Sequence, residues 1–183
     1  DNVWQRHTIV TNKIKGFAYG PGGSVFRYAP SLQASVKLNI LSPYKKAFLE
    51  YGFGTDSSIL EVYSAGNKLL TSIKLNQKTN FNLVPLTLAS NDAVLRFVFR
   101  GPSPCIYGIL FDGNKGIQFD NFGLRGQAGD GLMSIPVSQM TKMIQETNTC
   151  LEILQFGGNV VPGLKNETIL NLYGDRSEEH TSE

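Results

Sequence analysis

Eight short apolar segments, each six to eight residues long, follow one another between residues 24 and 111, and this succession constrains the fold most. They lie at 24–29, 34–40, 46–53, 58–64, 68–73, 81–86, 93–100 and 105–111. The first two, Ser24-Val25-Phe26-Arg27-Tyr28-Ala29 and Ala34-Ser35-Val36-Lys37-Leu38-Asn39-Ile40, alternate apolar with polar residues, the period of a strand with one buried face. Turn-forming clusters divide the segments: Gly22-Gly23, Gly54-Thr55-Asp56, Ala65-Gly66-Asn67 and Ser90-Asn91-Asp92. Strands at a spacing of roughly a dozen residues predict a β-sandwich or jelly roll over about 15–112. The tightest hairpin is expected at Ser64-Ala65-Gly66-Asn67.

After Gly113-Asn114-Lys115-Gly116 the character changes. A strand is expected at 117–121, followed by a glycine-rich loop, a helix and a second strand at 150–156. Ser134 is the expected N-cap, with Pro136 near the first helical position, where its missing N–H costs nothing. Val137, Met140, Met143 and Ile144 form the apolar stripe, and the helix should end near Asn148. This is a βαβ unit with a right-handed crossover. The fold class expected for the whole chain is therefore mixed, a sandwich followed by part of an α/β parallel-sheet domain from residue 113. Residues 1–14 are expected to be a linker or the remnant of a preceding half-domain.

In such a unit both strands end at one edge of the sheet, which brings Gly126 and Asn159 towards each other. Leu151-Glu152-Ile153-Leu154-Gln155-Phe156 runs into Gly157-Gly158-Asn159, and 117–121 runs into Phe122-Gly123-Leu124-Arg125-Gly126. Two such turns can present a backbone N–H and a side-chain NH₂ to the oxyanion of a tetrahedral intermediate. One fixed donor of this kind typically supplies ~3–4 kcal/mol of transition-state stabilisation. A structural left-handed turn is the alternative explanation of each glycine-rich segment.

Asn121-Phe122-Gly123-Leu124-Arg125-Gly126 resembles the second sequence block of SGNH (GDSL-type) hydrolases, and Gly157-Gly158-Asn159 resembles the third. The resemblance implies that Gly126 and Asn159 complete an oxyanion hole. The layout is similar to members in which a carbohydrate-binding-module-like sandwich is inserted between the serine block and the second block, as in peptidoglycan O-acetylesterases. Val160 stands where that family usually carries Asp, and neither a Gly-Asp-Ser block nor a terminal Asp-x-x-His is present. The implied nucleophile would precede Asp1 and the acid/base pair would follow Asp175, so the chain is expected to be an inactive fragment.

The last eight residues, Arg176-Ser177-Glu178-Glu179-His180-Thr181-Ser182-Glu183, resemble the translation of a sequencing-adapter oligonucleotide and are expected to be non-native. Without their one Arg and three Glu, the 17 basic and 15 acidic residues become 16 and 12, a net charge of +4. Those charges are spread thinly and form no basic run with interleaved aromatics, so nucleic acid is not an expected partner. His7 is the only histidine before the tail, and with two cysteines it makes no familiar zinc spacing. No metal or cofactor is expected. No apolar stretch approaches the ~20 residues of a membrane helix.

Other residues read more simply as structural. His7 is expected at the surface, Ser134 as a cap, and Arg125 as solvated or backbone-bonded. Asp120 and Asp130 read as turn and strand-end residues, for nothing in the sequence indicates a second carboxylate at working distance. Gly20-Pro21-Gly22-Gly23 is a turn without the Lys-Ser/Thr of a phosphate loop. Asn166-Glu167-Thr168 matches the glycosylation pattern, which carries no information in a bacterial protein. Cys105 and Cys150 are expected reduced in strands, the alternative being a disulfide between them. Trp4, Tyr19, Tyr28, Tyr44, Tyr51 and Tyr63 include either core rings or a sugar-stacking platform.

The expected function is that of a fragment of an SGNH-type serine esterase deacylating O-acetylated envelope polysaccharide, in the periplasm, at the cell envelope or secreted. The alternative is a non-catalytic carbohydrate-binding or adhesion module.

Overall fold

The computed structural model describes residues 3–9, 18–29, 33–88, 92–113, 115–123 and 135–153. Among these residues nine strands form two antiparallel sheets. They are β1 (Trp4–Thr8), β2 (Ser24–Tyr28), β3 (Ala34–Asn39), β4 (Lys46–Gly52), β5 (Ile59–Ser64), β6 (Leu69–Lys74), β7 (Asn82–Pro85), β8 (Val94–Arg100) and β9 (Cys105–Asp112). Sheet A has the order β1-β2-β9-β4-β7 and sheet B the order β3-β8-β5-β6. The chain crosses between sheets after β2, β3, β4, β6, β7 and β8, so the two halves of the sandwich are interleaved in sequence. All eight strands expected between residues 24 and 111 are present.

Strand alternation builds the core between the sheets. Ala47, Leu49 and Tyr51 of β4 face Leu60 and Val62 of β5 and Leu95, Phe97 and Phe99 of β8. Aromatic rings close its ends edge to face. Trp4 lies 5.6 Å from Tyr28 and 5.5 Å from Phe99, and Phe111 lies 5.0 Å from Tyr44. The β5–β6 hairpin turns where expected: Asn67 takes φ 59° and the Ser64 N–H bonds to the Lys68 carbonyl. Residues 4–8, expected in a linker, instead pair as β1 along the whole of β2.

A second core lies on the outer face of sheet A. Val25, Phe81, Cys105 and Tyr107 meet Ile135, Met140 and Met143 there. The last two belong to the single helix among the described residues, α1 (Val137–Glu146). Its buried face is Gln139, Met140 and Met143, whereas Val137 is 51% exposed, so the apolar stripe expected from Val137 is rotated. Gln139 explains the rotation: its amide donates to the Tyr19 carbonyl at 2.7 Å and accepts from Asn80 at 3.3 Å, which satisfies a polar group that is otherwise costly to bury. Lys142 adds a bond to the Phe81 carbonyl at 2.6 Å. The helix ends in a Schellman motif, with Asn148 left-handed at φ 52° and Thr149 N–H bonded to the Ile144 carbonyl. Ser134 lies outside the described residues, and no side-chain cap bond is made at Pro136.

The α/β unit expected after residue 113 is not shown by the described residues. Residues 117–121 and 150–153 carry no strand, and Ile117, Phe119, Leu151 and Ile153 are exposed. The helix spends its apolar face on sheet A and has none left to cover a parallel pair. No helix among the described residues is long and apolar enough to cross a membrane.

Candidate functional site

The sequence-predicted oxyanion pair, Gly126 and Asn159, lies outside the described residues, as do Arg125, Asp130 and 166–168. The flanking segments that should have aligned the pair, 117–121 and 150–153, are not strands. His7 is half-buried in β1, opposite Val25. Tyr19, Tyr28, Tyr44 and Tyr51 are buried and belong to the two cores, so four of the six aromatic candidates are packing residues. Both cysteines are free, with Cys105 buried in β9. Cys150 is exposed and outside any strand, contrary to expectation.

The residue that stands out is Glu50, near the middle of β4. It pairs with Leu83 of β7 on one side and Gly108 of β9 on the other. Its neighbours Leu49 and Tyr51 point into the inter-sheet core, so Glu50 points to the outer face of sheet A. Opposite the Glu50–Tyr51 step the register shifts, because Tyr51 pairs with Ile106 and Tyr107 is the extra residue of a bulge. The bulge places Tyr107 and Gly108 side by side on the outer face. Tyr107 fills its position: the hydroxyl donates to the Asn80 carbonyl at 2.6 Å and the ring stacks on Phe81. Gly108 leaves its position open, and a Cβ there would stand 3.0 Å from Glu50 Oε2. The carboxylate therefore lies in the space that a side chain at 108 would take.

Glu50 is only 5% exposed and forms no hydrogen bond or ion pair among the described residues. Burial, aided by the charge of Asp120, pushes its pKa up to about 7. Asp120 belongs to 115–123, whose residues are all exposed. Its carboxylate accepts two bonds from the Gln118 amide, at 3.2 and 3.0 Å. Phe122 lies against the turn before β2, where a Cβ on Gly22 would meet its ring at 3.0 Å. Phe119 and Phe122 are nevertheless 79% and 55% exposed. Asp120, expected to be a turn residue, lies outside any strand or helix, and its charge is felt at Glu50.

The arrangement joins three chemistries. Glu50 can both donate and accept near neutral pH, Asp120 and Gln118 supply acceptors and an amide, and the two phenyl rings offer apolar faces. Among the described residues, no group of three or more His, Cys, Asp or Glu side chains is placed to hold a metal ion. Sequence reasoning passed over Glu50 because it inspected glycine motifs; the available signal was one charge inside the apolar run Ala47-Phe48-Leu49-Glu50-Tyr51-Gly52-Phe53.

The sequence matches no protein-family model and no curated protein. Among solved structures it is similar to the family 6 carbohydrate-binding module CsCBM6-3 from Clostridium stercorarium, solved with cellobiose. That likeness has 13% identity over 62% of this chain and 85% of that one, with a TM-score of 0.41. A second family 6 carbohydrate-binding module structure gives 14% identity, the same coverages and a TM-score of 0.41. An exo-β-1,3-galactanase from Phanerochaete chrysosporium, solved with galactose, gives 13% identity over 59% of this chain and 29% of that one, with a TM-score of 0.38.

Proposed function

We propose that the sandwich is a carbohydrate-binding unit that takes a sugar ring on the outer face of sheet A, over Glu50. The observation that carries the reading is an outward-facing carboxyl over Gly108 that forms no hydrogen bond among the described residues and feels the charge of Asp120. A pyranose presents hydroxyls around its edge and C–H groups on its faces. A neutral carboxyl, a carboxylate and an amide match the edge, and Phe119 or Phe122 matches a face. Glu50 is largely desolvated in the free protein and has no hydrogen bond among the described residues, and a bound hydroxyl would supply one.

Glycan binding leads over ester hydrolysis because the described residues carry this outward-facing carboxyl, whereas Gly126 and Asn159 lie outside them. In the finer form of the proposal the unit serves a protein of the cell envelope or exterior that acts on acylated polysaccharide.

Affinity electrophoresis through gels containing xylan, hydroxyethylcellulose or β-1,3-glucan tests the proposal. At least one polymer should retard the protein, and Phe119→Ala with Phe122→Ala should weaken retention about tenfold, as the loss of an aromatic contact worth ~1.4 kcal/mol would. Equal mobility in every gel, or retention indifferent to both rings, would overturn it.

A further inference from the structure

The outer face of sheet B, on the opposite side of the sandwich, is a second surface with a different chemistry. The register places its outward residues in rows. Lys37 of β3 stands directly across from Arg96 of β8, and Arg96 from Tyr63 of β5. One row along, Ser35, Val98, Glu61 and Ser72 align, and beyond them Arg100, Ile59 and Lys74. The face therefore holds four cations against the single carboxylate of Glu61. That is an excess of three positive charges on one face.

Two features separate this face from an ordinary solvated one. Like charges directly across an antiparallel pair, here Lys37 and Arg96, are unfavourable in the free protein. The arginines are also held in place. Arg96 lies over the Tyr63 ring at 4.6 Å and donates to Asn67 Oδ1 at 3.1 Å. Arg100 donates to Glu61 Oε2 at 2.8 Å, where Tyr63 also donates, and to Gln33. The side chains lie low enough to bury Val98 completely, although it points outward. Each guanidinium has five N–H groups and spends only one or two on these contacts, so the rest remain available in a fixed orientation.

We infer that this face binds an anionic polysaccharide, one whose carboxylates bridge Lys37 and Arg96 on one side of Val98 and Arg100 and Lys74 on the other. Arg96 and Arg100 are four residues apart on one strand, about 13 Å, which suits an extended polymer better than a single small anion. Single-stranded nucleic acid fits less well, because Arg96 already covers the one aromatic ring of the face and no stacking platform is left. The inference depends on the glycan-binding reading only for the choice of polymer.

The test is affinity electrophoresis of the whole chain in polygalacturonate, with a neutral polysaccharide gel, a poly(dT) gel and anionic phosphatidylserine vesicles alongside. Polygalacturonate should retard the protein at low salt and progressively less as salt rises. Lys37→Gln with Arg96→Gln should weaken that retention at least tenfold and leave retention in the neutral polysaccharide gel unchanged. Lys37→Gln with Lys74→Gln, both exposed and outside any ion pair, gives a second variant pair that spares the network and should also weaken it. Retention on neutral polymer alone would sink this inference and leave the sheet A reading standing. Equal retention by poly(dT) or equal binding to the vesicles would reduce the face to a general polyanion surface, and overturn it too.

Discussion

Replacing Glu50 with Gln isolates the cost of the buried carboxylate. In the unfolded chain Glu50 titrates near its ordinary value of 4.5, and in the folded protein near about 7. Between those values the folded state binds the extra proton, so stability falls as pH rises. The loss is absent below about pH 4 and complete above about pH 7.5. A difference of about 2.5 units at 1.36 kcal/mol each amounts to about 3 kcal/mol. Glu50→Gln keeps the shape and cannot ionise. The variant should match the parent near pH 4 and gain stability steadily to about 3 kcal/mol at pH 8. For a chain of this size that corresponds to about 6–12 °C in Tm. Thermal melts of both proteins followed by circular dichroism from pH 4 to 8 give the difference directly, and groups common to both cancel in it. Parallel melting curves across this range, or a variant less stable at pH 8, would refute the reasoning.

Three further outcomes follow from the same contacts. Gln139→Ala removes the donor to the Tyr19 carbonyl and a buried contact with Asn80, and should cost about 2–3 kcal/mol, with faster hydrogen exchange in α1 and around Tyr19. Cys150 should react with a maleimide within minutes in native protein, whereas Cys105 should resist until denaturant is added, since burial raises its thiol pKa and blocks access. Gly108→Ala sets a methyl group 3.0 Å from Glu50 Oε2 and should weaken glycan retention several-fold while the far-ultraviolet spectrum is unchanged.

The sandwich was legible because its strands bury one face each and are separated by strong turn residues; both signals are local. β1 was missed for a related reason. Trp4-Gln5-Arg6-His7-Thr8 is an edge strand that leaves Gln5 and Arg6 exposed, so its alternation is weak. The segments 117–121 and 150–153 failed in the opposite sense. Ile117/Phe119 and Leu151/Ile153 do alternate like a strand, yet pairing requires a distant partner that no local pattern specifies. In α1 the buried Gln139 replaced Val137 because tertiary partners, Tyr19 and Asn80, satisfy its amide. The Glu50 recess was the least legible feature. It combines a charge in an apolar run, a bulge on another strand, a glycine opposite and a residue seventy positions downstream, and only the charge in the apolar run is visible in sequence.

Nuclear magnetic resonance titration with a neutral oligosaccharide from the polymer that retards the protein tests the central claim most directly. The account predicts that backbone amides of Glu50, Gly108, Asp120 and Phe122 shift together along one saturating curve. Shifts confined to other surfaces, with those four amides unmoved at saturation, would contradict it.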